Sequence, residues 1–348
     1  MRRYVRKNIR NLGGYIPGEQ PGKKGYVKLN TNENPYPPSP RVADAIQREL
    51  NDGLRLYPDP ASGPFLQKAS TVYGFPSASL AAGNGSDELL SILTRTFLGE
   101  GEKVVYPYPT YTLYETLVRI QGGEVKGVPF PDDYSLPRGI EREKGKLLFI
   151  ANPNSPSGTL TPLEKLSHVA DRFRGVVVVD EAYGDFSGET ALPLVKEKKN
   201  VVVLRTFSKS FSLAGIRLGL AFAPPWIIEE MNKVKDSYNV NRLSAAAGKA
   251  ALSHMSWMRK NVKKIVQTRE NLSRHLLTLG FEVFPSRANF LLIRKRGSSM
   301  KSIYLALKKK RILVRYFDTR RLADCLRITV GTDEEMESLL FHLEKLVG

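Results

Sequence analysis

Apolar residues along this chain gather in short, nearly unbroken runs. KVVYPYP (103–109), KLLFIANPN (146–154), GVVVVDEAY (175–183), VVVLRTFSK (201–209) and IRLGLAFA (216–223) are the clearest, and most end in polar or Gly/Pro-rich residues. Amphipathic stretches lie between them, at Asp87–Leu98, Thr161–Phe173 and Trp226–Tyr238. Unbroken apolar strands separated by one-sided helices predict an α/β domain whose mostly parallel central sheet is covered on both faces. From about residue 245 the pattern changes. One long helical segment runs over Leu243–Leu279, followed by short strands near 281–294 and 312–316, a helix near Ser298–Lys310, the strand CLRITV and a last helix over Thr332–Leu346. That half predicts a smaller α+β domain. The division expected is an arm over 1–30 that joins the small domain, a large domain over 31–242 and a small C-terminal domain over 243–348.

Composition adds limits rather than a function. With 348 residues, 41% hydrophobic and 25% charged, the chain has the make-up of a two-domain soluble protein. No stretch approaches the roughly 18 consecutive apolar residues of a membrane span. The first residues, MRRYVRKNIRNLGGY, are basic without an apolar core, unlike a secretory signal. The single cysteine, Cys325, excludes an internal disulfide framework and fits a reducing cytoplasm. Four scattered histidines show no metal-ligand spacing, so no metal is expected. The net charge of +18 sits at the two ends of the chain, in residues 1–30 and 251–348, around a middle that balances. A basic surface of this kind can attract nucleic acid or steer small anions such as phosphates and dicarboxylates.

The chemistry-bearing residues fall where apolar strands run out, and in open α/β sheets ligands bind there. NPNSPSG (152–158) follows KLLFIA, DEAY (180–183) follows GVVVV, and Ser208–Lys209 follows VVVLRTF. GNGSDE (83–88) is a Gly-rich turn opening a helix, with Ser86 and Asp87 at its start. Free backbone N–H groups at such a turn favour an anion. Each piece has an ordinary explanation: a lone loop lysine is most often a solvated charge, and an Asp ending a strand is often a helix cap. The turn also lacks the third glycine of G-x-G-x-x-G, and no Walker motif is present. Together they are more informative. An amine, a carboxylate, a phenol, Arg217 and an anion-binding turn converge on one end of one sheet. Pyridoxal phosphate needs that set: an amine for its aldehyde, a carboxylate for its ring nitrogen and a cradle for its phosphate.

The order of motifs carries a resemblance. LNTNENPYPPSP (29–40), LYPDP (56–60), GNGSDE (83–88), PTYTLY (109–114), NPNSPSG, DEAYGDF (180–186), TFSKSFSLAGIRLG (206–219), PSRANFLL (285–292) and LRITVGTDEE (326–335) span nearly the whole chain, with YIPGEQP (15–21) before them. This series resembles the fold-type I aminotransferases of classes I and II, and within them the histidinol-phosphate branch. The resemblance implies that Lys209 forms the Schiff base with pyridoxal phosphate, that Asp180 pairs with the ring nitrogen and that Tyr183 donates to the cofactor O3′. It also implies that Tyr111 stacks on the ring, while Ser86, Asp87, Ser208 and Arg217 hold the phosphate. Tyr57 would reach the cofactor of a neighbouring subunit, so a homodimer with shared sites is expected. Arg327, Arg315, Tyr15 and Asn84 would contact substrate: a phosphorylated amine in one half-reaction and 2-oxoglutarate or glutamate in the other.

One departure concerns the residue before Pro156. The family commonly places Asn there, its amide bonding O3′; this chain has Ser155, with Asn154 beside it. A hydroxyl is shorter and donates one bond only. Ser155, Asn154 or Tyr183 alone is expected to serve O3′. Sequence separates the neighbouring activities poorly, because specificity rests on a few pocket contacts. Threonine-phosphate decarboxylases and aromatic or broad-range aminotransferases share these motifs. A nucleic-acid-binding regulator that uses the basic ends is the reading from another class, but no separate helix-turn-helix segment is left over for it.

Overall fold

The computed structural model describes residues 2–22 and 25–347; Met1, Lys23, Lys24 and Gly348, at the edges of the expected arm and small domain, lie outside the described residues. The centre is a seven-stranded sheet built from β1 (Leu80–Gly83), β2 (Lys103–Tyr108), β3 (Glu124–Pro129), β4 (Leu147–Ala151), β5 (Val176–Asp180), β6 (Val201–Thr206) and β7 (Gly219–Phe222). Its order is β1-β7-β6-β5-β4-β2-β3. The run β6-β5-β4-β2-β3 is parallel, and β7 lies antiparallel to both its neighbours.

The unbroken apolar runs follow from burial on two sides. Side chains alternate across a strand, so each run feeds two cores. Val177, Val179, Val201 and Val203 enter one core with Leu148 and Ile150. Val176, Val178, Val202 and Leu204 enter the other with Leu147 and Phe149. Helices Gly63–Tyr73 and Leu163–Arg172 cover the first face. Helices α1 (Ser86–Phe97) and α2 (Leu113–Gln121) cover the second. Each fully buried Val or Leu contributes roughly 1.5–3 kcal/mol, so this layering fixes the strand ends firmly. The edge strand β3, EVKGVP, is mostly exposed and lacks the apolar signature by which its neighbours are legible.

A second sheet joins β8 (Glu282–Val283), β9 (Phe290–Arg294), β10 (Arg315–Tyr316) and β11 (Cys325–Thr329) in the order β10-β11-β9-β8, all antiparallel. Its core includes Leu291, Ile293, Leu326 and Ile328, with Leu307 and Leu339 from the covering helices. Leu29 enters the same core, and Val27–Lys28 pairs in parallel with Ile312–Leu313. The helical segment expected over 243–279 is two helices, α3 (Arg242–Leu252) and α4 (Met255–Thr278). His254 leaves helical geometry at φ −134°, ψ 48°, and its ring meets the Ser39 hydroxyl at 2.8 Å. No Gly or Pro marks that break, so it is invisible in the periodicity. Through Ala247, Ala251 and Leu252, α3 packs on the core of the large sheet rather than the small one. Among the described residues no helix is long and apolar enough to cross a membrane.

Candidate active site

A cavity of about 270 Å³ opens at the carboxyl ends of β4, β5 and β6, between the two sheets. Lys209, Asp180, Tyr183, Tyr111, Ser208 and Arg217 line it. So do Ser86, Asp87 and Ser155, and from the other side Tyr15, Arg315 and Arg327. Residues up to 312 positions apart are thereby brought to one place, as strand-end chemistry requires.

Lys209 is the one lysine of the cavity wall among the described residues. Its Nζ donates to the carbonyl of Thr31 at 3.0 Å. The Asn34 amide donates to the carbonyls of Lys209 and Ser210, which holds the backbone on both sides of the amine. Behind this loop lies a buried ionic cluster. Arg205 meets Glu181 at 2.7 Å and Asp185 at 2.5 Å, and the Ser210 hydroxyl donates to Asp185. The cluster ties the segment after β5 to the segment after β6, so the carboxylate loop and the lysine loop move together.

Asp180 is buried, and its Oδ2 accepts from the Tyr114 hydroxyl at 2.8 Å while Oδ1 accepts from the Ala182 N–H at 3.1 Å. Burial pushes its carboxyl up to about 6, against the pull of those two bonds, and the Asp87 and Glu181 charges push the same way. A carboxyl held protonated more tightly when folded contributes stability below its unfolded value and loses that contribution as pH rises through about 6. In the cofactor-free protein, Asp180→Asn should therefore raise the unfolding free energy by about 1–3 kcal/mol near neutral pH. The gain should disappear near pH 4. Urea unfolding of both proteins at the two pH values measures this; a gain that persists in acid would show that ionisation is not its source.

Two hydroxyls have their lone pairs engaged and their protons free. The Tyr183 hydroxyl accepts from the Asn32 amide at 2.8 Å, and Ser155 Oγ accepts from Arg327 Nη1 at 3.1 Å. Each is thereby left to donate into the cavity. Asn154 is different. Its Oδ1 accepts from Thr110 and its Nδ2 donates to Ser157 and to the Pro109 carbonyl. It is absent from the cavity wall, its amide engaged by its own loop and by the segment after β2, so Ser155 rather than Asn154 faces the space.

The GNGSDE turn, where an anion cradle is expected, is closely packed. A Cβ on Gly219 would lie 2.6 Å from the backbone of Gly85 and Ser86, and one on Gly85 would lie 2.6 Å from Arg217 Nη2. Arg217 itself adopts a left-handed backbone at φ 55°, an unfavourable state for a side-chain-bearing residue that aims its guanidinium at the turn. It donates to Asp87 at 3.1 Å and to Ser208 at 3.4 Å. Asp87 also accepts from the Tyr111 hydroxyl at 3.1 Å, so its carboxylate orders both partners, a part that sequence reasoning did not assign to it.

Arg327 and Arg315 are paired residues across β11 and β10. Among the described residues, neither has a carboxylate within ion-pair distance. Arg327 donates to Ser155 and to the Asn30 carbonyl, and its Nε has no partner. Burial, with Arg315 opposite, holds its guanidinium below the ordinary value. Phe290 and Phe317 stand 5.2 and 5.5 Å from its charge. Tyr15 packs edge-on against Tyr111, with ring centroids 5.7 Å apart. Besides Asn154, two expected residues are not gathered here. Asn84 is exposed, its backbone N–H bonded to Glu88, because the tight turn points it outward. Tyr57 is 78% exposed and stacks on Tyr238, away from this chain's own cavity.

The donor set suits pyridoxal phosphate. It offers one amine with a neutral partner, one buried carboxylate with open lone pairs, and an arginine at a helix N-terminus. At the same end of the sheet it adds an orphaned guanidinium nitrogen and two protons aimed into the cavity.

This fold and this site define a class of protein. Residues 24–343 match the family described as aminotransferase class I and II, and the chain belongs to that family. Relatives narrow the likeness. The chain is 48% identical to a histidinol-phosphate aminotransferase of Syntrophotalea carbinolica, over 97% of this chain and 98% of that one. It is 44% identical to histidinol-phosphate aminotransferase 1 of Trichormus variabilis over the full length of both. The crystal structure of histidinol-phosphate aminotransferase from Sinorhizobium meliloti in complex with pyridoxal-5′-phosphate is similar, with a TM-score of 0.85 and 28% identity. The match covers 92% of this chain and 90% of that one.

Proposed function

We propose that this chain is a pyridoxal-phosphate-dependent histidinol-phosphate aminotransferase of histidine biosynthesis. It moves an amino group between L-histidinol phosphate and 2-oxoglutarate, giving imidazole acetol phosphate and glutamate. The observation that carries this reading is the pair Arg315 and Arg327. Two cations without carboxylate partners face one cavity that also holds Lys209 and Asp180, which suits substrates that are anions in both half-reactions.

Pyridoxal phosphate, when bound, supplies an aldehyde for the amino group and a ring that accepts the electron pair of a broken C–H bond. The chain's own residues do the rest. Lys209 provides the amine that holds the cofactor and, once released, carries a proton to and from the reacting carbon. Asp180 keeps a proton on the ring nitrogen by offering a buried negative charge beside it. Tyr183 and Ser155 donate toward the phenolic oxygen. Tyr111 would stack on the ring, while Arg217, Ser208 and the N–H groups at Ser86 and Asp87 would hold the phosphate. Arg327 would take the substrate's anionic group, and Arg315 and Tyr15 would contact the phosphate of the phosphorylated amine. Tyr57, exposed with Leu54 and Leu56, would serve a second copy in a homodimer with shared sites, a reading that its exposure supports. The single buried Cys325 fits a reducing cytoplasm.

An absorbance titration tests the reading. Adding L-histidinol phosphate to the cofactor-loaded protein should bleach the visible band of the lysine-bound cofactor, and 2-oxoglutarate should restore it. A band that ignores histidinol phosphate but responds to phosphothreonine or an aromatic amino acid would overturn the substrate assignment and leave the cofactor chemistry standing.

A further inference from the structure

Asp180 does not set its own orientation. We infer that Tyr114 is a positioning residue for it: the Tyr114 hydroxyl fixes which face of the carboxylate points into the cavity and keeps that face an acceptor. The inference rests on the proposed function, in which a protonated ring nitrogen lies opposite Asp180.

Tyr114 is fully buried, in the first turn of α2 and three residues after Tyr111. Its ring is held by Tyr111 at 5.6 Å and 83°, by Phe149 at 5.0 Å and by Tyr106 at 6.4 Å between centroids. The one polar partner is Asp180 Oδ2 at 2.8 Å. A buried phenol with a single acceptor must donate to it, and burial holds its own proton far above the ordinary tyrosine value. With the Ala182 N–H on Oδ1, each oxygen has one bond to protein, and the remaining lone pairs face the cavity that Asp180 lines.

The need for such a donor is local. Asp87 and Glu181 are the acidic neighbours that act against a charge on Asp180, and both favour its neutral form. The Tyr114 N–H donates to the Tyr111 carbonyl at 3.2 Å, so one turn at the entrance of α2 links the wall of the cavity to the anchor of its carboxylate.

The test compares two cofactors on the cofactor-free full chain, by fluorescence titration at equilibrium. One is pyridoxal phosphate. The other is its 1-deaza analogue, in which a C–H replaces the ring nitrogen. Tyr114→Phe keeps the ring and removes the hydroxyl. It should weaken pyridoxal phosphate binding by about tenfold, the scale of one charge-assisted hydrogen bond, and change the deaza analogue by less than about twofold. Equal losses for both cofactors would mean that Tyr114 acts only through packing, and no loss for either would mean that it does not act; each overturns the inference. Should Tyr114→Phe fail to fold, 3-fluorotyrosine at this position, a stronger donor of nearly the same size, should tighten pyridoxal phosphate relative to the analogue. An unchanged ratio overturns the inference. If the unaltered chain binds no pyridoxal phosphate, the proposed function fails first and this inference falls with it.

Discussion

Lys209→Ala should lower kcat by about 10⁴-fold or more, because one change removes both the attached amine and the proton carrier. No other lysine of the described residues lines the cavity, so no neighbour can take over. The loss should be chemical rather than structural. The Nζ makes one neutral hydrogen bond, to Thr31, and the backbone at 209 is held independently by Asn34. The flanking Ser210 stays bound to Asp185. The variant should therefore fold and still retain pyridoxal phosphate through Arg217, Ser208 and Asp180, but without a covalent link. Borohydride reduction and peptide mapping make this visible. The unaltered protein should carry the pyridoxyl label on Lys209, and the variant should carry none. A label on another lysine, or turnover within about tenfold of the unaltered protein, would end the assignment.

Much of this site is legible in the sequence for a simple reason. A parallel strand is an apolar run, and its carboxyl end is the first polar residue after it. That rule places Asp180 and the stretches Ser208–Lys209 and NPNSPSG, because β5, β6 and β4 are buried on both faces and their ends are sharp. The rule stops where direction matters. Asn154 and Ser155 are adjacent, yet one is taken up by Ser157, Thr110 and Pro109 and the other faces the cavity, and only the turn geometry decides which. Tyr114 reads as an apolar helix residue, since its role depends on a bond to a residue 66 positions away. Tyr111 and Tyr114 are joined by a single turn at the entrance of α2, and their spacing was the available signal. Arg205 interrupts an apolar strand without any local hint that Glu181 and Asp185 will surround it. Asn32 is hidden in the same way: it adopts φ 57°, bonds Tyr183 and is locked by Thr329 across 297 positions. Sequence pattern shows where an element ends and what chemistry is available there. It does not show the partners that arrive from elsewhere.

Those partners make Arg327 the second decisive position. Arg327→Ala should reduce kcat/KM by about 10²–10³-fold for histidinol phosphate and for glutamate alike, the scale of losing one desolvated charge partner. The argument rests on enclosure. Burial and the nearby Arg315 both act against the Arg327 charge, its Nε has no protein partner, and two aromatic rings screen it from water. An anion that arrives there meets an under-satisfied cation in a low-dielectric setting, where the attraction is strongest. Arg315 lies one strand further out. Its guanidinium makes only 3.4 Å contacts, to the carbonyls of Ile16 and Pro17 in the arm, and it is partly exposed. Arg315→Ala should therefore cost about tenfold, and on the phosphorylated amine more than on glutamate. Arg327→Lys separates charge from shape. It keeps the cation but not the planar fork that now spans Ser155 and the Asn30 carbonyl, and it should recover only part of the loss. Steady-state kinetics of the three variants with both amino donors decides the matter. Arg327→Ala within about threefold of the unaltered protein would remove Arg327 from the substrate site, and equal losses on both donors in Arg315→Ala would deny that residue a phosphate role.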